Sequence, residues 1–390
     1  MPGLGPESAD LAAFDDEEVP APVKVAAPPP PPPPPPISAA VSFMFENGDV
    51  SRQYRVATEL VRLEATGSPR FDALPLSSPT ALRLALTQRA DAGWGGGALT
   101  LPTPGGDGVQ GVGLIPGLRR LLELGWDADS PPIHRARKVL FRLISEDDDP
   151  ALRFEFADSA DRAQGARQRL LLREAAAATL AQAGLESDPR LRGAARRLLD
   201  RVLAAVRLPS APSPWSSQGT AALLAPDVVP PSVFFLQMLA FMPHFRSEQH
   251  RAITRLLPML TRPVPAVDWV QKVGAQAITQ PYLVAGDPLA APHAPDLPTT
   301  LGWLELFARL GVLRRHAPWG ERFDALLAER DAVDAVWRPS VSASLPAGID
   351  HPAWWHTVGL GEGGRVDWSR EVTFRLALIA RLSGRQLAYR

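Results

Sequence analysis

Apolar residues recur along this chain at helical spacing, in pairs of segments joined by a short turn. The clearest pair runs from Gly113 to Ile144. Leu114, Leu118, Leu121 and Leu122 share one face of a first helix, while Arg119, Arg120 and Glu123 face elsewhere. Ile133, Ala136, Val139, Leu140, Leu143 and Ile144 form the stripe of a second helix. Gly125 fits the position just past the first helix, where glycine alone takes a left-handed conformation cheaply. Asp129 or Ser130 fits the cap of the second, with Pro131 and Pro132 in a first turn that needs no amide. Two such helices cannot bury both stripes by themselves, so they need neighbours of the same kind.

Neighbours of that kind follow. Leu170 to Val206 repeats the pattern, with Gly184 in the place of Gly125 and Asp188-Pro189 opening the second arm. Ser232 to Leu260 is a third copy, and Leu297 to Leu327, turning at Gly311, a fourth. Asp49 to Glu64 and Ser78 to Ala90 make a degenerate first pair, and Ser369 to Gly384 a closing half-unit. The spacing, about 40 to 65 residues, is too irregular for a regular solenoid. In the half-unit, Val372, Phe374, Leu376, Leu378, Ile379 and Leu382 spread wider than one stripe, as in a helix covered on both sides. It is expected to pack against the helices of residues 50–90. Period-two alternation is nearly absent, so the predicted class is all-α.

Residues 1–40 read differently, as a disordered tail ahead of one helical domain spanning 41–390. Asp15 to Glu18 form an acidic cluster, and Pro28 to Pro36 an unbroken run that must be extended polyproline II. Such a run suits a stiff spacer or a ligand for a partner with an aromatic groove; a plain low-complexity tail is the alternative. Its few apolar residues predict no packing onto the domain.

Composition narrows the chemistry. With 390 residues, 45% of them hydrophobic, the chain can bury a large core. A net charge of −1 gives no electrostatic reason to expect nucleic acid. The absence of cysteine removes disulfides, thiolate zinc sites and cysteine nucleophiles together. No metal or cofactor is expected. The longest apolar stretch, Val233 to Met242, is too short to span a bilayer, and a cytoplasmic location is the expectation. The glycine-rich piece from Gly93 to Gly113 lacks the strand and the Lys-Ser/Thr step of a phosphate loop, so it reads as a connection.

Leu-Gly…Asp-Pro turns, a Trp after the second helices (Trp94, Trp215, Trp337) and a terminal DWSREVTFRLALIARL together carry a resemblance. From roughly Val50 to Arg385 the chain resembles the α/α-toroid family of squalene–hopene cyclases and protein prenyltransferase β subunits. Gln88…Gly93-Trp94 looks like a shortened form of the cyclases' Gln…Gly-x-Trp turn. The cyclases' DxDD acid motif is approached only by Glu146-Asp147-Asp148-Asp149, with Glu at the first position, and the prenyltransferases' Asp-Cys-His zinc set lacks its Cys here.

The resemblance implies a closed ring of helix pairs around a central cavity. The inner helices then aim their N-termini at one mouth, near Pro116, Pro231, Pro298 and Ser369, which favours anions there. Phe234, Phe235, Trp303, Trp355 and Phe374 would line an apolar cavity, with His293, Asp296 and His356 as polar groups beside it. Aromatics at helical spacing also suit a plain core. The expected function is binding of an apolar ligand, isoprenoid-like or peptide, without a recognisable catalytic motif. The alternatives are a terpenoid cyclase or prenyl-transferring enzyme with a non-standard acid, and a HEAT-like scaffold that binds protein along a concave face.

Overall fold

A computed structural model of the chain describes residues 36–47, 49–62, 72–95, 97–102, 109–145, 154, 162–207, 215–218, 221–224, 230–265, 269–273, 276–278, 282–290, 296–339 and 367–390. Residues 1–35 of the predicted 1–40 tail and the run Glu146 to Asp149 lie outside these residues, while Ile37–Ala39, placed in the tail by the sequence, form a strand of the described fold. The described chain is mostly helical. It opens with β1 (Ile37–Ala39), α1 (Val41–Asn47) and α2 (Val50–Arg55), the last widening into a turn over Val56–Val61. Next come α3 (Pro79–Leu86), α4 (Leu114–Glu123), α5 (Pro131–Ser145), α6 (Arg162–Gln182) and α7 (Pro189–Arg207). A hairpin, β2 (Trp215–Gln218) and β3 (Ala221–Leu224), leads to α8 (Val233–Ala240).

The second arm of the third pair is broken where the sequence predicted one helix. It forms α9 (Pro243–Glu248), α10 (His250–Thr254) and α11 (Leu257–Leu260); Pro258 has no amide to bond the Thr254 carbonyl, which accounts for the second of the two breaks. Then follow β4 (Trp269–Val273), β5 (Gln276–Ile278), α12 (Leu297–Leu310), α13 (Ala317–Ala328), α14 (Trp368–Leu382) and β6 (Leu387–Tyr389).

Four glycines end helices in the way the pattern required. Gly125, Gly184, Gly311 and Gly384 all have positive φ. After each, the next amide reaches back five residues: Trp126 to Leu121, Leu185 to Leu180, Val312 to Phe307 and Arg385 to Ala380, at 2.9–3.2 Å. This bond satisfies a carbonyl that the helix end would otherwise orphan. At Gly125 space matters too, since a Cβ would lie 2.8 Å from the Tyr54 ring. At the helix starts, Asp49, Ser78, Ser232, Asp296 and Asp367 each accept an amide three residues on. The turn before α5 is held by Asp127 instead of Asp129 or Ser130: its carboxylate accepts the amides of Ser130 at 2.8 Å and Asp129 at 3.0 Å.

Short strands correct the all-α reading. β2, β3, β4 and β5 form one sheet in that order, parallel only between β3 and β4. They sit between the predicted helix pairs, and runs such as WSSQ and AALL carry no alternation to announce a strand. β1 and β6 pair in parallel, Ile37 opposite Leu387.

Packing runs from α4 to α6, α6 to α8, α8 to α12 and α12 to α14, with α3, α5 and α7 against α4, α6 and α8 respectively. As expected, α14 packs against the start of the chain, on Val56–Val61. Met44, Val56, Leu60, Phe374, Ala377 and Leu378 make a small core there, and the Tyr389 hydroxyl donates to the Leu60 carbonyl at 2.8 Å. Among the described residues no helix is long and apolar enough to cross a membrane.

Candidate functional site

α14 is buried on every side from Glu371 to Ala380, so its polar residues face other helices and not solvent. Arg375, 2% exposed, is the hub. Its Nε donates to Glu371 at 2.8 Å, Nη1 to Glu305 at 2.6 Å, and Nη2 to Glu123. Glu371 and Arg375 sit four apart on one helix face, as do Glu305 and Arg309 on α12, bonded at 2.9 Å. Arg55 bonds Glu123 and Glu59, and Arg52 pairs with Glu371 at 2.8 Å. The network thus ties α2, α4, α12 and α14 at one place.

Electrostatics there are mutually supporting. Burial alone would raise the carboxyl of Glu305, but Arg375, Arg309 and Arg55 outweigh it and hold it at about 2. Glu371 is likewise held at about 2, against burial, chiefly by Arg52 and Arg375. Burial pulls Arg375 down, yet its three glutamates raise it well above the usual arginine range.

One turn earlier on α4 the situation reverses. Arg119, 1% exposed, donates from Nε to Gln182 at 2.8 Å and from Nη1 to Gln237, while Nη2 has no partner. Burial pushes its guanidinium down to about 9, and Glu123 offsets only part of that. Arg120 is lowered by burial too, despite Glu123, Glu371 and Asp49. On α6, burial pushes the carboxyl of Glu174 up to about 7, in spite of hydrogen bonds from Ser232.

The expected cavity residues are placed as follows. Phe234 lies 5.3 Å from the Tyr282 ring, and Phe235 is fully buried in the main core. Trp303 tilts on Phe307 at 5.6 Å, which in turn stacks on Trp319 at 3.8 Å. Phe374 belongs to the small core at the chain start, beneath the guanidiniums of Arg55 at 4.7 Å and Arg375 at 5.6 Å. Asp296 caps α12 through the Thr299 amide. His293, Trp355 and His356 lie outside the described residues. The described aromatics are divided between two packed cores, Phe234, Phe235 and Trp303 in the larger and Phe374 in the smaller.

No family model, curated protein or solved structure matches this chain. Its own geometry has to carry the reading.

Two openings are lined mainly by charge. A groove of about 590 Å³ runs between α5 and the start of α7, lined by His134, Arg137, Lys138, Phe141, Arg142 and Arg190. Arg190 lies 3.7 Å over the Phe141 ring while bound to Asp188 at 2.7 Å, which fixes its position. Lys138 is exposed and makes no ion pair among the described residues. The second opening is a small pocket beside Ser51, Arg52 and Arg120. Among the described residues no cluster of His, Asp or Glu is placed to hold a metal ion.

The polar centre was not read from the sequence. Its signal was the Glu–Arg pairs four apart, Glu305/Arg309 and Glu371/Arg375, on helices whose apolar residues spread wider than one stripe.

Proposed function

We propose that this chain is a closed α/α toroid acting as a binding module and not as a catalyst, and that the groove between α5 and α7 takes an acidic segment of a partner protein. Support for the ring comes from the run of packed helices that starts at α4 and returns through α14 to the Val56–Val61 turn. The observation that carries the binding reading is the groove: Arg137, Lys138, Arg142 and Arg190 line it with one carboxylate, Asp188, which Arg190 engages, while Arg137 also lies 3.6 Å from the exposed Asp129. An excess of like charge in an open groove attracts and orients an opposite charge. An apolar guest at the centre is disfavoured, because it would lie against ionised groups that need polar partners.

The test is a fluorescein-labelled oligoglutamate peptide titrated against the full chain by anisotropy, at low and high salt. Binding should weaken as salt rises, and the pair Arg137→Glu with Lys138→Glu should weaken it by about tenfold or more. A farnesyl probe that binds while the acidic peptide does not would replace this reading with the apolar-ligand one.

A further inference from the structure

A third opening, between α9, α10 and the turn that follows α12, has cationic side chains and no carboxylate in its lining. Its volume is about 160 Å³. Arg246, His250 and Thr254 stand four residues apart. The Gln249 amide bonds the Phe245 carbonyl at 2.9 Å and the Ile253 amide the Gln249 carbonyl at 3.0 Å, which carries the helical turn from α9 into α10. The three therefore share one face. Arg315 meets that face from the turn that the left-handed Gly311 begins, over a floor that includes the buried Leu310 and Val312.

Both arginines are held by neutral groups alone. Arg246 donates from Nη1 to the carbonyls of Leu239 and Ala240 at the end of α8, at 3.1 and 3.0 Å. Arg315 donates to the Thr254 hydroxyl at 3.4 Å, and that hydroxyl passes its own proton to the His250 carbonyl at 2.9 Å. The carboxylates nearby are engaged elsewhere: Glu186 accepts the Phe245 amide at 2.6 Å, and Glu248 pairs with Arg192 at 2.5 Å. Burial and the Arg309 cation press against the charge of Arg246, and Glu186 offsets only part of that. Arg251, Arg255 and Arg314, exposed on the same stretches of chain, add positive charge and make no ion pair among the described residues.

The lining itself thus gives a guest its sign. Its shape follows from the donors: two forked guanidiniums, the Ser247 hydroxyl and the His250 ring border one opening. A carboxylate brings two oxygens in a plane and a single charge. A phosphate monoester brings three outer oxygens and nearly two charges at neutral pH, and guanidiniums suit it in geometry as well as in sign.

We propose that this pocket binds a phosphate monoester group between Arg246 and Arg315, with Ser247 and His250 as further donors. The group is carried either by a small molecule or by a phosphorylated side chain of another protein. This site is separate from the groove between α5 and α7 and stands or falls independently of it.

The experiment follows the thermal unfolding midpoint of the full chain against inorganic phosphate, with sodium chloride holding the ionic strength constant. Phosphate is kept at low millimolar concentration, where its general salting effect is small. The midpoint should rise and saturate, as with any ligand of the folded state. Arg315→Gln, an exposed change that the fold tolerates, should weaken the apparent affinity by about tenfold. Arg246→Lys, which keeps the charge but loses the fork, should do the same. Glycerol phosphate and a blocked phosphoserine peptide separate the sources, since the one that binds more tightly than inorganic phosphate names the carrier. The groove pair Arg137→Glu and Lys138→Glu should leave the response unchanged. Three results would overturn the proposal: no phosphate effect beyond chloride, an undiminished effect in both pocket variants, or equal binding of the peptide with glutamate in place of phosphoserine.

Discussion

Arg375 and Arg119 are the same residue type, almost equally buried, on neighbouring helices, and their circumstances are opposite. Arg375 meets three carboxylates, and its charge is anchored. Arg119 meets two amide oxygens, keeps one nitrogen unpaired and is pushed down to about 9 by burial. Burial supplies the same penalty to both; only the partners differ. One region of the centre is therefore complete as built, and the other carries charge that the described protein does not neutralise.

The sharpest way to break this contrast is to remove each charge. Arg375→Met removes the shared partner of three buried glutamates, leaving each with a single arginine, and should cost about 3–5 kcal/mol of folding stability in urea unfolding. Arg119→Met strands only two amide oxygens while sparing a buried cation, so it should cost no more than about 2 kcal/mol. Equal losses would dissolve the distinction.

Acid tests the anchored side with a somewhat smaller effect. Glu305 and Glu371 titrate near 2 in the folded protein and near 4.5 when unfolded. As pH falls through this window the unfolded chain takes up protons first, so stability is intact above about pH 4.5 and is lost towards pH 2. The loss should be on the order of 3 kcal/mol for the coupled pair. A flat stability profile across that window would show that these carboxylates are not anchored.

Glu174 gives the smallest effect and the opposite sign. Its folded value of about 7 lies above its unfolded 4.5, so between these values the folded state holds a proton that the unfolded state has released. Its contribution is present below about pH 4.5 and disappears as pH rises through 7. Glu174→Gln should therefore be more stable than the parent by about 2 kcal/mol at pH 8 and indistinguishable at pH 4, by urea unfolding at the two values. A variant less stable than the parent at pH 8 would mean that the carboxylate is needed in its charged form.

The helix pairs were legible because two local signals agreed: an apolar stripe, and a glycine placed where the backbone must turn left-handed. Gly125, Gly184, Gly311 and Gly384 all do so. The packing of α14 on the chain start was legible from its width of apolar cover. The centre was not. Arg119, Arg120 and Glu123 lie off the apolar stripe of α4, and a stripe says nothing about what covers the opposite face; here another layer of helices buries all three. The sheet escaped for a different reason. β2 to β5 are three to five residues long and carry no alternation, and the β3–β4 pairing that joins the two hairpins into one sheet links segments far apart in the chain, so no local pattern encodes it. The aromatic candidates were read as lining a cavity; Phe234, Phe235, Trp303 and Phe374 are buried, and spacing along one helix cannot tell a core side chain from one lining a void.

The contact between the last helix and the first also sets an order of events during synthesis. Arg381 donates to the Leu60 carbonyl across 321 residues of chain, and Arg375 reaches Glu123 across 252. The pairs α4–α5 and α6–α7 are local and can form as they emerge, because their loops close at little entropic cost. The helix at Val50–Arg55 has no such recourse. Glu371, the partner of Arg52, and Phe374, Ala377 and Leu378, which cover the adjoining Val56 and Leu60, arrive only with residues beyond Trp368, so this early segment is among the last to be completed. Through most of the chain's emergence, Met44, Val56 and Leu60 are uncovered surface, the kind that a nascent-chain chaperone meets.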